Sequence, residues 1–139
     1  MANPTKLQEY LDTLAMFPDR QDRIETLIGF ADEYKHPSRE AFPRDEKSKV
    51  PGCESEVYVR LTKTEDRFSF GYAVDNPQGI SAMAMAAILT AGLENCTAQE
   101  INAIDDQIVF EIFGNELSMG KNLGLTNMLR VSKHLANLS

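Results

Sequence analysis

The run from Ile80 to Leu93, ISAMAMAAILTAGL, is rich in methionine and alanine and apolar nearly all round. A helix of that kind has no polar face to turn to water, so the rest of the chain must enclose it. Its longest apolar stretch, Ile80 to Ala91, is too short to cross a bilayer, which takes roughly 20 apolar residues. It is therefore read as the central helix of a core. A chain of 139 residues with 42% hydrophobic content is long enough to build that core in one domain covering residues 1–139.

The flanking segments supply the enclosure. Leu7, Tyr10, Leu11 and Leu14 recur at helical spacing, and Pro18 ends that pattern. Asp19 or Asp22 can cap a second helix whose expected apolar face is Ile24, Leu27, Ile28 and Ala31. Val57, Val59 and Leu61 then alternate with Tyr58, Arg60 and Thr62. Phe68, Phe70 and Tyr72 alternate likewise, across the polar turn Lys63-Thr64-Glu65-Asp66. That is a hairpin signal, with one apolar face that should meet helices on that side only.

After the turn cluster Asp75 to Gly79 and the central helix, Thr97-x-x-Glu100 forms a capping-box pattern ahead of Ile101 and Ile104. Asp105 or Asp106 can start a helix through Ile108, Val109, Ile112 and Phe113, stopped by Gly114. A last helix is expected from about Thr126, with Leu125, Met128, Leu129, Ser132 and Leu135 along one side. The order helix, helix, hairpin, helices reads as α+β.

Charge and motifs narrow the function. A net charge of -7 repels phosphate backbones and argues against a nucleic-acid partner. Met1 to Lys6 carries no apolar signal core, and with no spanning segment the expectation is a cytoplasmic protein without a membrane partner. The chain has no G-x-G-x-x-G, no P-loop and no H-E-x-x-H. Two cysteines, Cys53 and Cys96, with only His36 and His134 beside them, give no zinc-ligand spacing. No metal or cofactor is expected. In a reducing compartment both cysteines stay thiols.

Of the two, Cys53 has the better setting for chemistry. It stands in Val50-Pro51-Gly52-Cys53-Glu54-Ser55-Glu56-Val57, on a loop just before a strand, and such loops often carry function. The polar segment before it, Lys35 to Lys49, holds five basic residues (Lys35, Arg39, Arg44, Lys47, Lys49) against three acidic ones. Lys47 and Lys49 could favour the thiolate, which is the reactive form. The plain reading of the segment is a solvated surface loop. The plain reading of a free cysteine is a small buried hydrophobe. Cys96, between an apolar helix and a capping box, fits that reading well; Cys53 fits it less well.

The run V-P-G-C-E-S-E-V-Y, Val50 to Tyr58, resembles the V-P-G-C-Q-S-Q-V-W signature of SufE-type cysteine desulfuration proteins. The resemblance spans nearly the whole chain. Asp22 to Ile28 is similar to that family's second helix and Ile80 to Leu89 to its central helix. Glu116 to Leu125 and Asn127 to Leu129 are similar to its L-T-P-S-R-x-N-G-L segment and final helix. The resemblance implies an IscU-like fold, a small antiparallel sheet (the hairpin and room for a third strand) covered on one side by helices. It also implies a sulfur carrier that activates a pyridoxal-phosphate cysteine desulfurase of the SufS type rather than an independent enzyme.

On that resemblance Cys53 is the sulfur acceptor, and a downstream Fe–S scaffold complex is a further partner. Gly52, Glu54, Ser55, Lys49, Asp75 and Lys121 are support or partner-binding positions. The chain departs from the pattern at Glu54 and Glu56, glutamines in the family, which make the site more acidic. Tyr58 replaces a tryptophan, Lys121 an arginine and Leu123 an asparagine, and Asp75-Asn76-Pro77-Gln78-Gly79 replaces a D-S-D-type loop.

The expected mechanism is attack of the Cys53 thiolate on the outer sulfur of a partner persulfide. Pro51-Gly52 is the expected hinge of the loop. Three other readings stay open: a docking module that regulates a desulfurase without a covalent step, a thiol hydrolase using His36 or His134, and a cluster scaffold, which lacks companion ligands. The sequence leaves the oligomeric state open, a homodimer included.

Overall fold

A computed structural model describes residues 3–53, 56–76, 79–114 and 119–138, with the side chains of 119–121 outside the description. The elements run α1 (Thr5–Ala15), α2 (Arg20–Glu33), a single 3-10 turn (Glu46–Ser48), β1 (Val57–Thr64) and β2 (Arg67–Val74). They continue with α3 (Ile80–Gly92), β3 (Cys96–Thr97), α4 (Ala98–Asn102), α5 (Ile108–Phe113) and α6 (Met119–Leu138). The fold is α+β, with an antiparallel sheet in the order β1-β2-β3. No helix among the described residues is long and apolar enough to cross a membrane.

The central helix is α3. Ala82, Ala84 through Leu89 and Gly92 are all buried on it. It packs on α1 and α2 and on β2, as an element without a polar face must. The hairpin closes through Glu65-Asp66, with Thr64 paired to Arg67 and Val57 to Val74. The third strand is a two-residue pairing in which Phe68 meets Cys96. The capping box is realised. The Thr97 hydroxyl accepts from the Glu100 N–H (3.2 Å), and the Glu100 carboxylate accepts from the Thr97 N–H (3.0 Å).

The structure corrects three expectations and extends a fourth. On α2, Ile24 and Ile28 are exposed, and the packed face is Leu27, Phe30, Ala31 and Tyr34. Aromatic side chains set this rotation, because each buries a large ring while its polar tip still finds a partner. Phe30 meets Tyr10 edge-on at 4.9 Å. The Tyr34 hydroxyl accepts from the Val74 N–H (2.8 Å) and donates to the Tyr72 carbonyl (3.2 Å). The apolar face of the sheet joins the main core as expected, but its other face is not bare. There Phe42 closes over Tyr58 and Ala73 in a second small apolar cluster.

The segment 35–49 is not simply a solvated loop. The Arg44 side chain is 5% exposed; it donates to the carbonyls of Phe42, Pro37 (2.8 Å) and Ser38 (3.3 Å) and binds Asp75. Finally, α6 begins at Met119, seven residues before the expected start. Its first two turns carry Gly120 and Gly124, and Gly124 lies against the cysteine loop.

Candidate functional site

The cysteine loop is a short excursion from the edge of β1. The Val50 N–H donates to the Val57 carbonyl (2.8 Å), and Lys49 bridges Tyr58, so the chain leaves the sheet after Val50 beside the point where it returns at Val57. Pro51 has no N–H, and its carbonyl accepts from the Asn127 side-chain amide at 2.8 Å. Gly52 sits at φ +75°, with Leu123 and Asn127 against its Cα. Glycine reaches that conformation at no steric cost. At the far end of the loop, the Asp75 N–H donates to the Glu56 carbonyl (2.8 Å).

Cys53 lies half-buried between these ends and packs on the main apolar core. The α6 backbone comes this close because position 124 is glycine. A Cβ there would stand 2.9 Å from both the Cα and the Sγ of Cys53. At this point the thiol is sheltered by a helix backbone rather than by a side chain.

Beside the loop lies a charged cluster. Asp75, 9% exposed, accepts from Arg44 Nε (2.7 Å) and Nη2 (2.9 Å) and lies 2.7 Å from His36 Nε2. Arg39 stands 3.8 Å away. The Arg44 hydrogen bonds hold the Asp75 carboxyl down at about 2, and His36 adds to the effect. Tyr34, His36, Arg39, Val74, Asp75, Asn76 and Met83 line an open cleft of about 610 Å³ there.

The structure brings Cys53, Gly52 and the backbone of Asp75 to one end of the hairpin, the end where β1 starts and β2 stops. Lys47 is exposed on the 3-10 turn, and Lys49 lies on the approach to the loop. Glu54 and Ser55 lie outside the described residues, as does the Lys121 side chain. His36 is committed through Nε2 to Asp75. His134 is ten positions past Gly124 on α6. That is about 15 Å along the axis, at roughly 1.5 Å per residue. It cannot act as the base of a Cys–His pair at this loop.

Cys96 sits apart. It is 4% exposed, its Sγ lies 3.8 Å from the carbonyls of Gly92 and Glu94, and burial pushes its pKa up.

Three site residues escape a reading of the sequence: Asn127, Gly124 and the buried Arg44. Gly124 and Asn127 stand three apart, on one helix face. That spacing carries meaning only on a helix that already runs through 124.

Comparison with known proteins gives these features relatives. The SufE family model, described as an Fe-S metabolism associated domain, matches residues 8–136. "SufE-like protein 1, chloroplastic/mitochondrial" of Arabidopsis thaliana is 31% identical over 134 residues, which are 96% of this chain and 35% of that protein. The chain thus spans about a third of the length of that relative. A solution structure of a hypothetical protein from Thermus thermophilus is similar with a TM-score of 0.72 and 19% identity. The match covers 99% of this chain and 100% of that one, and it supports the fold.

Proposed function

The chain belongs to the SufE family of Fe–S metabolism proteins, and from that premise we propose that Cys53 accepts sulfur from the persulfide of a pyridoxal-phosphate cysteine desulfurase and passes it toward Fe–S cluster assembly. The observation that carries this reading is the placement of Cys53 on a loop closed at its base by the sheet and sheltered by the backbone of α6 at Gly124. A persulfide is easily reduced or hydrolysed, so a half-buried sulfur that a small movement can expose suits both receiving and holding it.

The step balances without an outside oxidant. The Cys53 thiolate attacks the outer sulfur of the partner's persulfide. A new S–S bond forms at Cys53, the old S–S bond breaks, and its electron pair leaves on the partner's thiolate. Sulfane sulfur moves, with no net redox change. Two cysteines outside any disulfide suit a reducing compartment, and the proposed setting is the cytoplasm.

The test is intact-mass spectrometry after incubation with a cysteine desulfurase and cysteine. Wild type and Cys96→Ser should gain one sulfur atom, removable by reductant, and Cys53→Ser should gain none. Equal gain in Cys53→Ser would overturn the assignment. No gain in wild type, with the desulfurase active and bound, would favour a docking role without a covalent step.

A further inference from the structure

We propose that Asn127 is a positioning residue for the Cys53 thiol: its side-chain amide latches the loop to α6, and release of that bond frees residues 51–53 to lift the thiol off Gly124. The proposal rests on the reading of Cys53 as the sulfur acceptor and assigns a control point to it.

The two limbs of the loop are held differently. The loop rejoins the sheet at Glu56. Glu56 accepts from the Asp75 N–H, and the next residue pairs with Val74. Asp75 is in turn braced by Arg44, in an ion pair whose side chains are 9% and 5% exposed. The leading limb is tied to the sheet only as far as Val50, which is 2% exposed. Past Val50, residues 51–52 are bonded to α6 through Asn127 Nδ2, at 2.8 Å from the Pro51 carbonyl.

The other contacts of Pro51 and Gly52 are shallow. Leu123 touches Gly52 and is itself half-exposed, and Gly124 presents no side chain to Cys53. Pro51 is exposed and Gly52 has no side chain to drive into the core. Lifting Pro51 and Gly52 therefore breaks the Asn127 hydrogen bond and a small apolar contact with Leu123, while Val50 and Glu56 remain seated on the sheet. Gly52, already at φ +75°, is the residue best able to absorb the backbone change. A charged latch would hold harder; a neutral amide at a partly exposed position gives a bond that a docking partner can replace.

The test reads thiol accessibility, which does not depend on sulfur transfer. In a Cys96→Ser background Cys53 is the only thiol, and its reaction with a dipyridyl disulfide probe is followed as a rate. Asn127→Asp is nearly isosteric, and its carboxylate cannot donate to the Pro51 carbonyl. Asn127→Ala removes the group. Both should react about three- to tenfold faster than the parent, the range set by one neutral hydrogen bond. Arg130→Ala, on the same helix and paired instead with Asp106, should leave the rate within roughly twofold, as a surface change does.

Asn127→Asp adds a signature that loss of packing cannot mimic. Once the pH falls below ~3.9, the ordinary carboxyl pKa, the acid can donate to Pro51 again. The excess rate over the parent at the same pH should then shrink, while that of Asn127→Ala persists. Unchanged rates in both variants would overturn the latch. So would an equal rise in Arg130→Ala, because reactivity would then follow the general stability of α6. If the latch stands and mass spectrometry shows no sulfur gain, the loop is controlled as described and the acceptor role is what fails.

Discussion

The two cysteines sit at opposite ends of one strand. Cys96 pairs with Phe68, at the turn end of β2, and the loop of Cys53 is tied through Glu56 to Asp75, just past its open end. Phe68 and Val74 are six residues apart on that strand. That is about 20 Å, at roughly 3.3 Å per residue. Around Cys96 the chain does what a core does: apolar side chains close over the sulfur, and burial disfavours its thiolate. Around Cys53 the enclosing surface includes a helix backbone at a glycine, with the Asn127 amide holding the leading limb down. On the proposed reading, the same side chain is a packing element at one end and the sulfur acceptor at the other. What differs is whether opening it requires the core to open.

The largest expected effect follows from that difference. Alkylation of the native protein should modify Cys53 on the order of 10³-fold faster than Cys96, because exposing Cys96 takes an opening that approaches global unfolding. Peptide mapping after limited alkylation measures the ratio, and denaturant should bring the two rates together. Comparable native rates would break the comparison.

Next in size is the brace under the open end. Arg44→Ala leaves the Asp75 carboxylate buried with only His36 and Arg39 near it, and should cost about 3 kcal/mol. The damage should be lopsided. Hydrogen exchange should rise at residues 56–58 and 73–75, where Glu56 and Phe42 lose their support, and change less at 67–68 and 96–97. A uniform rise would mean that the two ends of the hairpin are one cooperative unit.

Acid probes the same brace more gently. The folded pKa of Asp75, about 2, lies below the ordinary carboxyl value, so its contribution is fully present above about pH 4–5. It is lost as the pH falls through about 2, and it is worth on the order of 2 kcal/mol. Asp75→Asn should flatten the acid limb of a stability–pH curve. An unchanged limb would show that the ion pair is not what acid breaks.

Most of the fold is legible in the sequence because its signals are local. The all-round apolar run of α3, the alternation in Val57–Leu61 and the Thr97/Glu100 capping box each depend on residues within a few positions of one another. The thiol is legible for the same reason, since Pro51 and Gly52 mark its loop directly. What escapes depends on distant partners. Ile24 and Ile28 look like core by spacing, yet Tyr10 and the edge of β2 pull Phe30 and Tyr34 inward instead. Arg44 reads as one more surface cation until Asp75, 31 positions away, is beside it. The start of α6 is hidden because Gly120 and Gly124 interrupt its first turns, and Gly124 meets the cysteine loop with its backbone.

Gly124 is where that last point can be tested, with the smallest stability effect of the series. A methyl group at 124 would overlap Cys53 at 2.9 Å from both its Cα and its Sγ, too close for any real contact. One of the two must move. Alanine favours the helix over glycine by roughly 1 kcal/mol, so α6 itself should not yield. The loop should lift, because Pro51 is fastened to α6 by a neutral amide and Pro51 and Gly52 are themselves exposed. The overlap and the propensity gain oppose each other, leaving a net cost of about 1 kcal/mol, at the low end for an overpacked site. Gly124→Ala should therefore melt only a few degrees below wild type while Cys53 becomes more reactive and Cys96 does not. A large loss of stability with both thiols equally exposed would instead place the cysteine loop inside the core's cooperative unit, and the contrast between the two sulfurs would disappear.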